Sequence, residues 1–395
     1  MTFPLKERYY QVCSRCVMDT TAADIMFDAG GLCNYCTEYL QTSSVVVFKN
    51  ERERALEREA LLANIKSAGK GKRYDCVVGV SGGVDSSWAL YKAVRLGLRP
   101  LAVHMDNGWD SELAQNNIQQ LVCNLGVDLF THVIEWNEYR GLQQAFFDAD
   151  VIDIELLYDN AMVAVNYQQA IKNGLKYILL GYNQATEGMP VPANWNWFKY
   201  DKKNIYAIWS RFGNGSPIKT FPSIGTLGFW TYRLRGIRWT SFLDYFDYQK
   251  AEAVDVLQRE MGYRPYPYKH YESVFTRFYQ GYLLPRKFGV DKRRLHFSTL
   301  IASGQMSRAQ ALKLLEQSPY PSEQELGEDI QYFLKKMDWT AKKLDAYLAG
   351  PEKPHSLYGS EKGLWESVIR PWGYVRGFRD YVSSRGGVRI GPSKA

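Results

Sequence analysis

The sequence lacks the features that would carry it into or across a membrane. No apolar run among its 395 residues approaches the ~20 residues that a membrane-spanning helix requires. Residues 1–10 carry charged side chains and no apolar core of the kind found in a secretory signal. Six cysteines in a chain of this length are too few for a secreted disulfide scaffold. These absences together predict a soluble, cytoplasmic protein.

Positive charge is only slightly in excess of negative charge. The sequence has 49 Lys and Arg against 42 Asp and Glu, a net charge of +7. Hydrophobic residues make up 46% and charged residues 23% of the chain, which is ordinary for a globular protein. This surplus is compatible with ATP, a nucleotide-linked sugar or a nucleic acid as the ligand, and it does not decide among them.

Four of the six cysteines form two pairs near the N-terminus. Cys13 and Cys16 make one Cys-x2-Cys knuckle, and Cys33 and Cys36 make a second. Two intervening residues let both sulfurs of a knuckle face one metal ion, so the pattern predicts a four-cysteine zinc site. Four protein ligands leave no open coordination position, and the predicted zinc is therefore structural. A redox-active or free set of thiols is the alternative.

Downstream of residue 73, short apolar runs alternate with helical segments. The run at 76–80 ends at a Gly-rich loop, and further strand–helix pairs lead to a fourth strand at 177–180. This alternation predicts an α/β fold, a parallel sheet with helices on both faces. The predicted regions are a zinc-binding module at 1–45, a helical linker at 46–73, a nucleotide-binding core at 74–189, an aromatic-rich insertion at 190–260, and a basic, mostly helical region at 261–395.

The Gly-rich loop reads Ser-Gly-Gly-Val-Asp-Ser-Ser at 81–87, between a predicted strand and a predicted helix. Its glycines let the backbone approach an anion closely, and the helix N-terminus adds N–H donors and a favourable dipole. Asp85 cannot bind phosphate directly and is predicted to hold Mg²⁺ against it. The predicted ATP-binding residues of the loop are Ser81, Gly82, Gly83, Asp85, Ser86 and Ser87.

The same loop has no G-x-x-x-x-G-K-[ST] pattern, which excludes the P-loop of kinases and related ATPases, and a plain strand-to-helix turn is the alternative. Ser-Gly-Gly-x-Asp-Ser after a hydrophobic strand resembles the PP-loop of N-type ATP pyrophosphatases. The resemblance implies that the loop binds the β,γ-pyrophosphate and that AMP is transferred to a carbonyl or urea-type oxygen. It also implies that Asp106, after the second strand, contacts the nucleotide. Gly181 follows the fourth strand, at the edge where open α/β sheets bind ligands, although a turn role is the alternative for both.

A closer resemblance covers nearly the whole chain. The segments that carry it are Cys-Ser-Arg-Cys-Val-Met-Asp-Thr-Thr at 13–21, Gly-Leu-Cys-Asn-Tyr-Cys at 31–36, the PP-loop, Tyr-Lys-His-Tyr-Glu-Ser at 268–273 and Lys-Phe-Gly-Val-Asp-Lys-Arg at 287–293. Together they are similar to the N-acetyl sugar amidotransferases of surface-polysaccharide and pseudaminic-acid-type sugar biosynthesis. The resemblance implies ATP-dependent conversion of an acetamido group on a nucleotide-linked sugar into an acetamidino group, for lipopolysaccharide or a related surface glycan. Asp85, Lys287 and Lys292 are the predicted catalytic residues.

The sequence offers no ammonia source of its own. A glutamine-dependent enzyme needs a glutaminase nucleophile, but Cys76 opens the buried strand and Cys123 lies within a predicted helix. Both are interpreted as core or near-core thiols. The family resemblance then implies that ammonia comes from a partner, a glutaminase with a (β/α)₈-barrel conduit like the pair of histidine biosynthesis. Neither a membrane nor a nucleic acid is predicted as a partner.

A basic stretch and an aromatic stretch remain. The basic residues are Lys269, Arg277, Arg286, Lys287, Lys292, Arg293 and Arg294. They are interpreted as a site for a diphosphate-linked sugar acid, with a solvated basic face as the alternative. The Trp-rich stretch at 190–240 fits either stacking on a sugar or uracil ring or packing within a core.

Two other functions stay open at this point. A tRNA-thiolating PP-loop enzyme would share the cysteine knuckles, the loop and the positive charge. It would also need catalytic cysteines to carry sulfur, and Cys76 and Cys123 form no close pair in the sequence. A non-enzymatic zinc-ribbon interaction protein that binds a nucleotide only for folding is the other alternative.

Overall fold

The structure is a computed structural model that describes residues 9–267 and 271–367. The predicted family segment at 268–270, which includes Lys269, lies outside the described residues. Within them, no helix is both long enough and apolar enough to span a membrane.

A five-stranded, fully parallel sheet forms the centre of the fold. Its strands are β1 Cys76–Gly79, β2 Pro100–Asp106, β3 Leu129–Val133, β4 Tyr177–Leu180 and β5 Arg238–Ser241. They are ordered β3-β2-β1-β4-β5, with β1 central. The predicted parallel α/β fold is confirmed.

Helices surround the sheet and fill the C-terminal region. The N-terminal ones are α1 Asn34–Thr42, α2 Ser44–Val47 and α3 Glu51–Ala68. Those of the central part are α4 Val84–Arg95, α5 Glu112–Leu125, α6 Trp136–Asp148, α7 Leu156–Lys172, α8 Gln184–Glu187, α9 Lys202–Phe212, α10 Thr226–Leu234 and α11 Lys250–Met261. The C-terminal ones are α12 Val274–Phe278, α13 Arg293–Ala302, α14 Arg308–Leu315, α15 Glu323–Met337 and α16 Ala341–Ala349, with a π-helix at Tyr279–Phe288 and short 3-10 turns at Phe242–Tyr245 and His355–Tyr358.

Each face of the sheet has its own hydrophobic core. Alternate strand residues point to opposite faces, so Val77 and Ile178 pack with α6 and α7. Val78 and Leu179 pack on the other face with α4 and α11. Burial on both faces explains why β1 and β4 are short continuous apolar runs rather than alternating ones.

The aromatic stretch contains helices and a strand that its sequence pattern does not predict. The interval 190–240, where the strand–helix pattern breaks down, contains α9, α10 and the edge strand β5. Its tryptophans mostly pack inside: Trp195 is fully buried, Trp239 lies 5.3 Å from the ring of Tyr167, and Trp197 stacks on His355. Packing, rather than display to a ligand, accounts for these three side chains.

Part of the basic stretch, at 286–288, is helical. The chain there completes the π-helix Tyr279–Phe288, which contains Pro285. Gly289 ends it in the left-handed conformation, with φ +64°. The helix continues because proline removes one backbone donor without preventing the wider π-type turn around it.

Candidate functional site

The loop at 81–87 lies at the carboxyl end of β1, between that strand and α4. The backbone N–H of Ser81 donates to Ser86 Oγ (3.2 Å), and Ser86 Oγ donates to the carbonyl of Gly83 (3.1 Å). The N–H of Gly83 donates to Ser81 Oγ (3.3 Å). Three residues of the motif thus fix one another, so the loop has a defined shape without a ligand.

Two glycines of the predicted site are required by close backbone approach. Gly82 has φ +82°, and a Cβ there would lie 2.8 Å from the carbonyl oxygen of Ala114. A Cβ on Gly181 would lie 2.5 Å from the backbone of Asp85 and Ser86. Gly181 is therefore beside the loop, and any side chain at that position would displace it.

Asp85 has a partner that the sequence analysis did not find. The hydroxyl of buried Tyr248 donates to Asp85 Oδ1. Burial, and then the adjacent Asp85 carboxylate, raise the pKa of Tyr248 well above its usual value, so the hydroxyl stays protonated and remains a donor. Gln305 Nε2 in turn donates to the carbonyl of Tyr248 (3.1 Å). No local signal links these residues, because 163 positions separate Tyr248 from Asp85.

Ser87 and Asp106 hold different places in the site. Ser87 is fully buried on the first turn of α4, so its side chain is not open to a ligand in this structure. Asp106 ends β2 at the carboxyl edge, and its Oδ1 accepts from the N–H of Gly108 (2.7 Å). The hydrogen bond from Gly108 supports the turn role of Asp106 and uses only one of its two carboxylate oxygens.

A buried ion pair lies directly beneath the loop. His104 Nδ1 is 2.8 Å from the carbonyl of Val80, and its Nε2 is 2.7 Å from Asp110 Oδ2. Both neighbours are acceptors, so both ring nitrogens donate and the imidazole is charged. Burial would lower the pKa of His104, but the hydrogen bond and charge of Asp110 outweigh it and raise the pKa. This pair is not indicated by any pattern in the sequence.

The loop is covered by a segment of the C-terminal region. The N–H of Ser111 donates to the carbonyl of Glu272 (2.9 Å), and Asp110 pairs with Ser273 in an antiparallel bridge. A Cβ built on Gly83 would lie 3.3 Å from Glu272 Oε1, which places this carboxylate at the entrance of the loop. The described part of the motif at 268–273 therefore lies against the loop, through Glu272 and Ser273.

Lys292 lies at the N-terminal end of α7, among buried carboxylates. Its Nζ is 3.3 Å from Glu155 Oε2. Nearby, Lys199 Nζ is 2.6 Å from Asp153 and 2.8 Å from Asp159. Burial would lower the pKa of Lys199, but the charges of Asp153 and Asp159 raise it, so the lysine stays charged. Lys199 was not among the sequence candidates.

Lys287 has a different environment. Its side chain is fully buried, and its ammonium donates to the carbonyls of Tyr347 (2.6 Å) and Gly350 (3.1 Å) and to Asp150 (3.1 Å). These contacts use all three hydrogens. The geometry favours a structural role and does not bring the predicted catalytic Lys287 to the loop.

Other cations of the basic stretch are also held by internal contacts. Arg277 donates to Asp329 (2.6 Å), and Arg293 Nη2 lies 2.8 Å from Asp291. Arg294 lies 2.9 Å from Asp19 and also donates to the carbonyl of Val17. Most of the stretch therefore joins parts of the fold and is not an open anion site.

The four paired cysteines converge on one point. Their sulfurs all lie within 4.8 Å of one another, and all four residues are buried. The Cys13–Cys36 and Cys16–Cys33 sulfur distances are 3.9 and 3.7 Å, close to the ~3.8 Å edge of a tetrahedron with Zn–S bonds of about 2.3 Å. Backbone N–H groups of residues 16, 18, 33 and 36 point at the sulfurs, as suits thiolates. The cluster fits a structural zinc ion.

The C-terminal part of the chain also has a family match. Residues 272–370 match the family model described as "LPS biosynthesis protein WbpG-like, C-terminal domain". The chain is WbpG-like in this region. For residues 272–370 the predicted resemblance to a surface-polysaccharide family is confirmed, and the matched residues include Glu272 at the loop and Lys292 beside α7.

The zinc module docks onto this WbpG-like region. Arg308 donates to the carbonyls of Cys16 and Cys13 (both 2.9 Å), and the N–H of Val17 donates to Ser298 Oγ (3.2 Å). On its other side, Tyr39 of the module donates to the carbonyl of Gln184, in α8 of the core (3.2 Å). The module therefore ties the WbpG-like region to the core.

The remaining cysteines differ from each other. Cys76 is fully buried, and burial raises the pKa of its thiol, so it is unreactive. Cys123 is exposed on α5, which corrects its interpretation as a core or near-core thiol. The helical prediction for Cys123 was right, but its position on the helix faces outward.

Solved structures and curated proteins were also compared. The NMN synthetase from Francisella tularensis aligns at 14% identity over 54% of this chain and 87% of its own, with a TM-score of 0.25. An NH3-dependent NAD synthetase from Campylobacter jejuni aligns at 16% identity over 56% of this chain and 100% of its own, with a TM-score of 0.28. Similarity at this level says nothing about the activity of this chain. A search of curated proteins gives no match.

Proposed function

We propose that the chain is an ATP-dependent amidotransferase of surface-glycan biosynthesis, which converts an N-acetyl group on a nucleotide-linked sugar into an acetamidino group. The observation that carries the proposal is the meeting of two motifs: the PP-loop-like turn at 81–87 lies against Glu272 and Ser273, where the WbpG-like region begins. A phosphate loop and a glycan-biosynthesis region that share one edge of the sheet support a single site.

The chemistry follows from the poor reactivity of an amide. In the proposed first step the acetamido oxygen attacks the α-phosphorus of ATP, the α–β bridging bond breaks, and pyrophosphate leaves. Ammonia then adds to the activated carbon, AMP departs with the former amide oxygen, and one proton is lost to give the amidinium cation; loss of a second proton gives the neutral amidine. The protein's part is positioning and charge stabilisation.

The loop residues are proposed to bind the pyrophosphate portion. The hydroxyls of Ser81 and Ser86 and the N-terminal end of α4 supply donors and a favourable dipole. Asp85, oriented by Tyr248, is the residue that would hold Mg²⁺, which when bound neutralises charge on the phosphates. Asp106 and Gly181, at the ends of β2 and β4, border the proposed nucleotide site.

The acceptor sugar is proposed to lie toward the N-terminal end of α7. Lys292 and Lys199 are the cations there, and each is only partly exposed. Lys292 has one carboxylate partner, Glu155, and is the cation proposed to meet an anionic group of the nucleotide-linked sugar. Lys199 is already paired with Asp153 and Asp159 and is proposed to hold these carboxylates in place. Lys287 is left out of this proposed site because its ammonium is held by Asp150 and two carbonyls.

Ammonia is proposed to arrive from a partner glutaminase through a barrel conduit. Buried Cys76 is unsuited to glutamine hydrolysis, and within the described residues the exposed Cys123 has no hydrogen bond to a base that would activate it. The purified chain is expected to use ammonium salts and to leave glutamine untouched. Efficient use of glutamine by the chain alone would refute the partner.

The test of the whole proposal is pyrophosphate release with Mg-ATP, a UDP-linked acetamido sugar acid and ammonium chloride. We expect release to depend on both the sugar and ammonia, with AMP formed in equal amount and a product lighter by one mass unit. Release without sugar, or with tRNA and a sulfur donor in its place, would overturn the sugar assignment. The Asp85→Asn variant is the matched negative control.

A further inference from the structure

The end of the sheet opposite the loop carries a cluster of exposed cations. In a parallel sheet the residues before each strand share one edge, so Lys176 before β4 and Ile237 before β5 lie together. Lys176 Nζ donates to the carbonyl of Arg235 (2.6 Å), and Lys72 Nζ donates to the carbonyl of Gly174 (2.6 Å). These contacts place Lys72, Lys176 and Arg235 on one surface.

The cations near β4 and β5 are not balanced by carboxylates, and the two carboxylates that precede β1 and β3 on the same edge, Asp75 and Asp128, pair with Arg99 and Arg73. The sequence has no Asp or Glu between Asp159 and Glu187, nor between Asp201 and Asp244. Within the described part of the chain, no salt bridge is formed by Lys72, Lys172, Lys176, Arg235 or Arg238. All of these except Lys72 are exposed. They contrast with the cations at 277–294, several of which face carboxylates.

An exposed apolar stripe lies on α10, the helix whose C-cap residue is Arg235. Leu227 and Leu234 of α10 are 73% and 79% exposed, and their spacing of seven residues puts both on one side of the helix. The opposite side of α10 is anchored by Tyr232, whose ring stacks 4.6 Å from that of Tyr167. The leucines are therefore not part of the core.

A shallow cavity completes the surface. It has a volume of about 260 Å³ and lies next to the end of α10. It is lined by Ile171, Gly174, Leu175, Lys176, Arg235 and Ile237. Apolar side chains thus form its walls, and the cations Lys176 and Arg235 form part of its rim.

We propose that this surface of the protein binds an anionic phospholipid bilayer. The surface, here named the basic end face, comprises Leu227, Leu234, Lys172, Lys176 and Arg235. Exposed leucines beside lysines and arginines are the pattern of an interfacial helix, in which apolar side chains enter the headgroup region and cations meet anionic lipids. Nucleic-acid phosphates would use the cations and leave the leucines in water. Bound this way, the loop at the opposite edge faces away from the bilayer.

The experiment uses the full chain and sedimentation with vesicles of phosphatidylcholine alone or mixed with phosphatidylglycerol. We expect binding to the mixed vesicles only, weakened by salt because screening reduces the attraction. The Leu227→Glu/Leu234→Glu variant should bind at least about tenfold more weakly. Lys172→Gln/Lys176→Gln/Arg235→Gln should also lose about tenfold or more, since each cation near an anionic surface contributes about fivefold.

Matched controls carry the same substitutions elsewhere. Leu56 and Leu357 are 61% and 60% exposed, so Leu56→Glu/Leu357→Glu should bind within about twofold of the wild type, as single exposed sites away from the face contribute little. Lys313→Gln/Lys335→Gln/Lys342→Gln is the control for lost charge. Unfolding curves verify that each variant is folded.

Three results would overturn the proposal. They are failure of the wild type to bind the mixed vesicles, equal losses in the control variants, and tRNA binding that is lost in the cation variant but kept in the leucine variant. None of these measurements involves amidation, so the proposal stands or falls separately from the proposed function.

Discussion

The loop at 81–87 and the basic stretch at 277–294 are both predicted from sequence to meet anionic parts of the substrates, but the fold uses them differently. In the loop, Ser81, Gly83 and Ser86 are hydrogen-bonded within seven residues of chain. In the basic stretch, Arg277, Lys287 and Arg294 pair with carboxylates far away in sequence. A local motif shows its own geometry in the sequence, whereas the availability of a cation depends on partners that only the fold reveals.

The largest expected effect comes from disrupting the zinc module, which connects the WbpG-like region to the core that carries the loop. Chelation of zinc, or Cys33→Ser, should unfold the module and release the WbpG-like region, because structural zinc sites contribute on the order of 10 kcal/mol in zinc peptides. Metal analysis and thermal unfolding measure this, with exposed Cys123→Ser as the control. A metal-free protein with an unchanged melting temperature would contradict the zinc assignment.

In the loop, Asp85→Asn should lower pyrophosphate release by about a thousandfold, in the range seen when a charge-stabilising group is removed from an active site. Stability should change little, because an asparagine oxygen still accepts from Tyr248. The comparison variant is Asp247→Asn, at an exposed neighbouring position. Retained activity with Asp85→Asn would remove the loop from the mechanism.

In the basic stretch, Lys287→Met should lower the free energy of unfolding by about 3 kcal/mol, because it leaves buried acceptors unpaired. Lys353 contacts the same Asp150 but is 40% exposed, so Lys353→Met should cost less than about 1 kcal/mol. Denaturant titrations give both values. A Lys287→Met protein with normal stability and no activity would contradict the structural role and support the predicted catalytic role of this lysine.

The carboxylate of Asp244, which accepts from the N–H of Gln184 just after β4, offers a test by pH. Burial raises the pKa of Asp244 from 3.8 to about 7. The native state therefore binds more protons than the unfolded state between these values, and stability falls as pH rises from about 4 through 7. Asp244→Asn should gain up to about 4 kcal/mol at pH 8 and less than about 1 kcal/mol at pH 4. Urea unfolding at both values checks this, and an equal gain at the two would contradict it.

The smallest expected effect concerns Tyr248. Tyr248→Phe removes the donor to Asp85 and should weaken the apparent affinity for Mg²⁺ by about tenfold, the value of one hydrogen bond to a charged group. The turnover number at saturating Mg²⁺ should change less, which separates positioning from general damage. Half-buried Tyr245→Phe serves as the reference. An unchanged Mg²⁺ dependence would show that Asp85 is oriented by other contacts.

How much could be predicted depended on the range of the interactions. Strand β4 was predicted at its observed bounds, and β1 within one residue of them, because buried parallel strands are apolar runs whatever surrounds them. The cysteine cluster was also predictable from spacing. Strand β5 was missed because Arg238, Trp239 and Thr240 have no apolar run of their own and rely on pairing with β4. The ion pair of His104 with Asp110, and the contact of Tyr248 with Asp85, depend on tertiary contacts that no local pattern encodes.

The docking of the zinc module has a consequence for the order of synthesis. The N–H of Val17 meets Ser298 across 281 positions, so the ribosome makes the cysteine knuckles long before their binding surface exists. At about 5–20 residues per second the wait is roughly 15–60 seconds. During that time the thiols are protected only by their metal. We therefore expect zinc supplied during translation to raise the yield of correctly joined molecules more than zinc added to the finished protein.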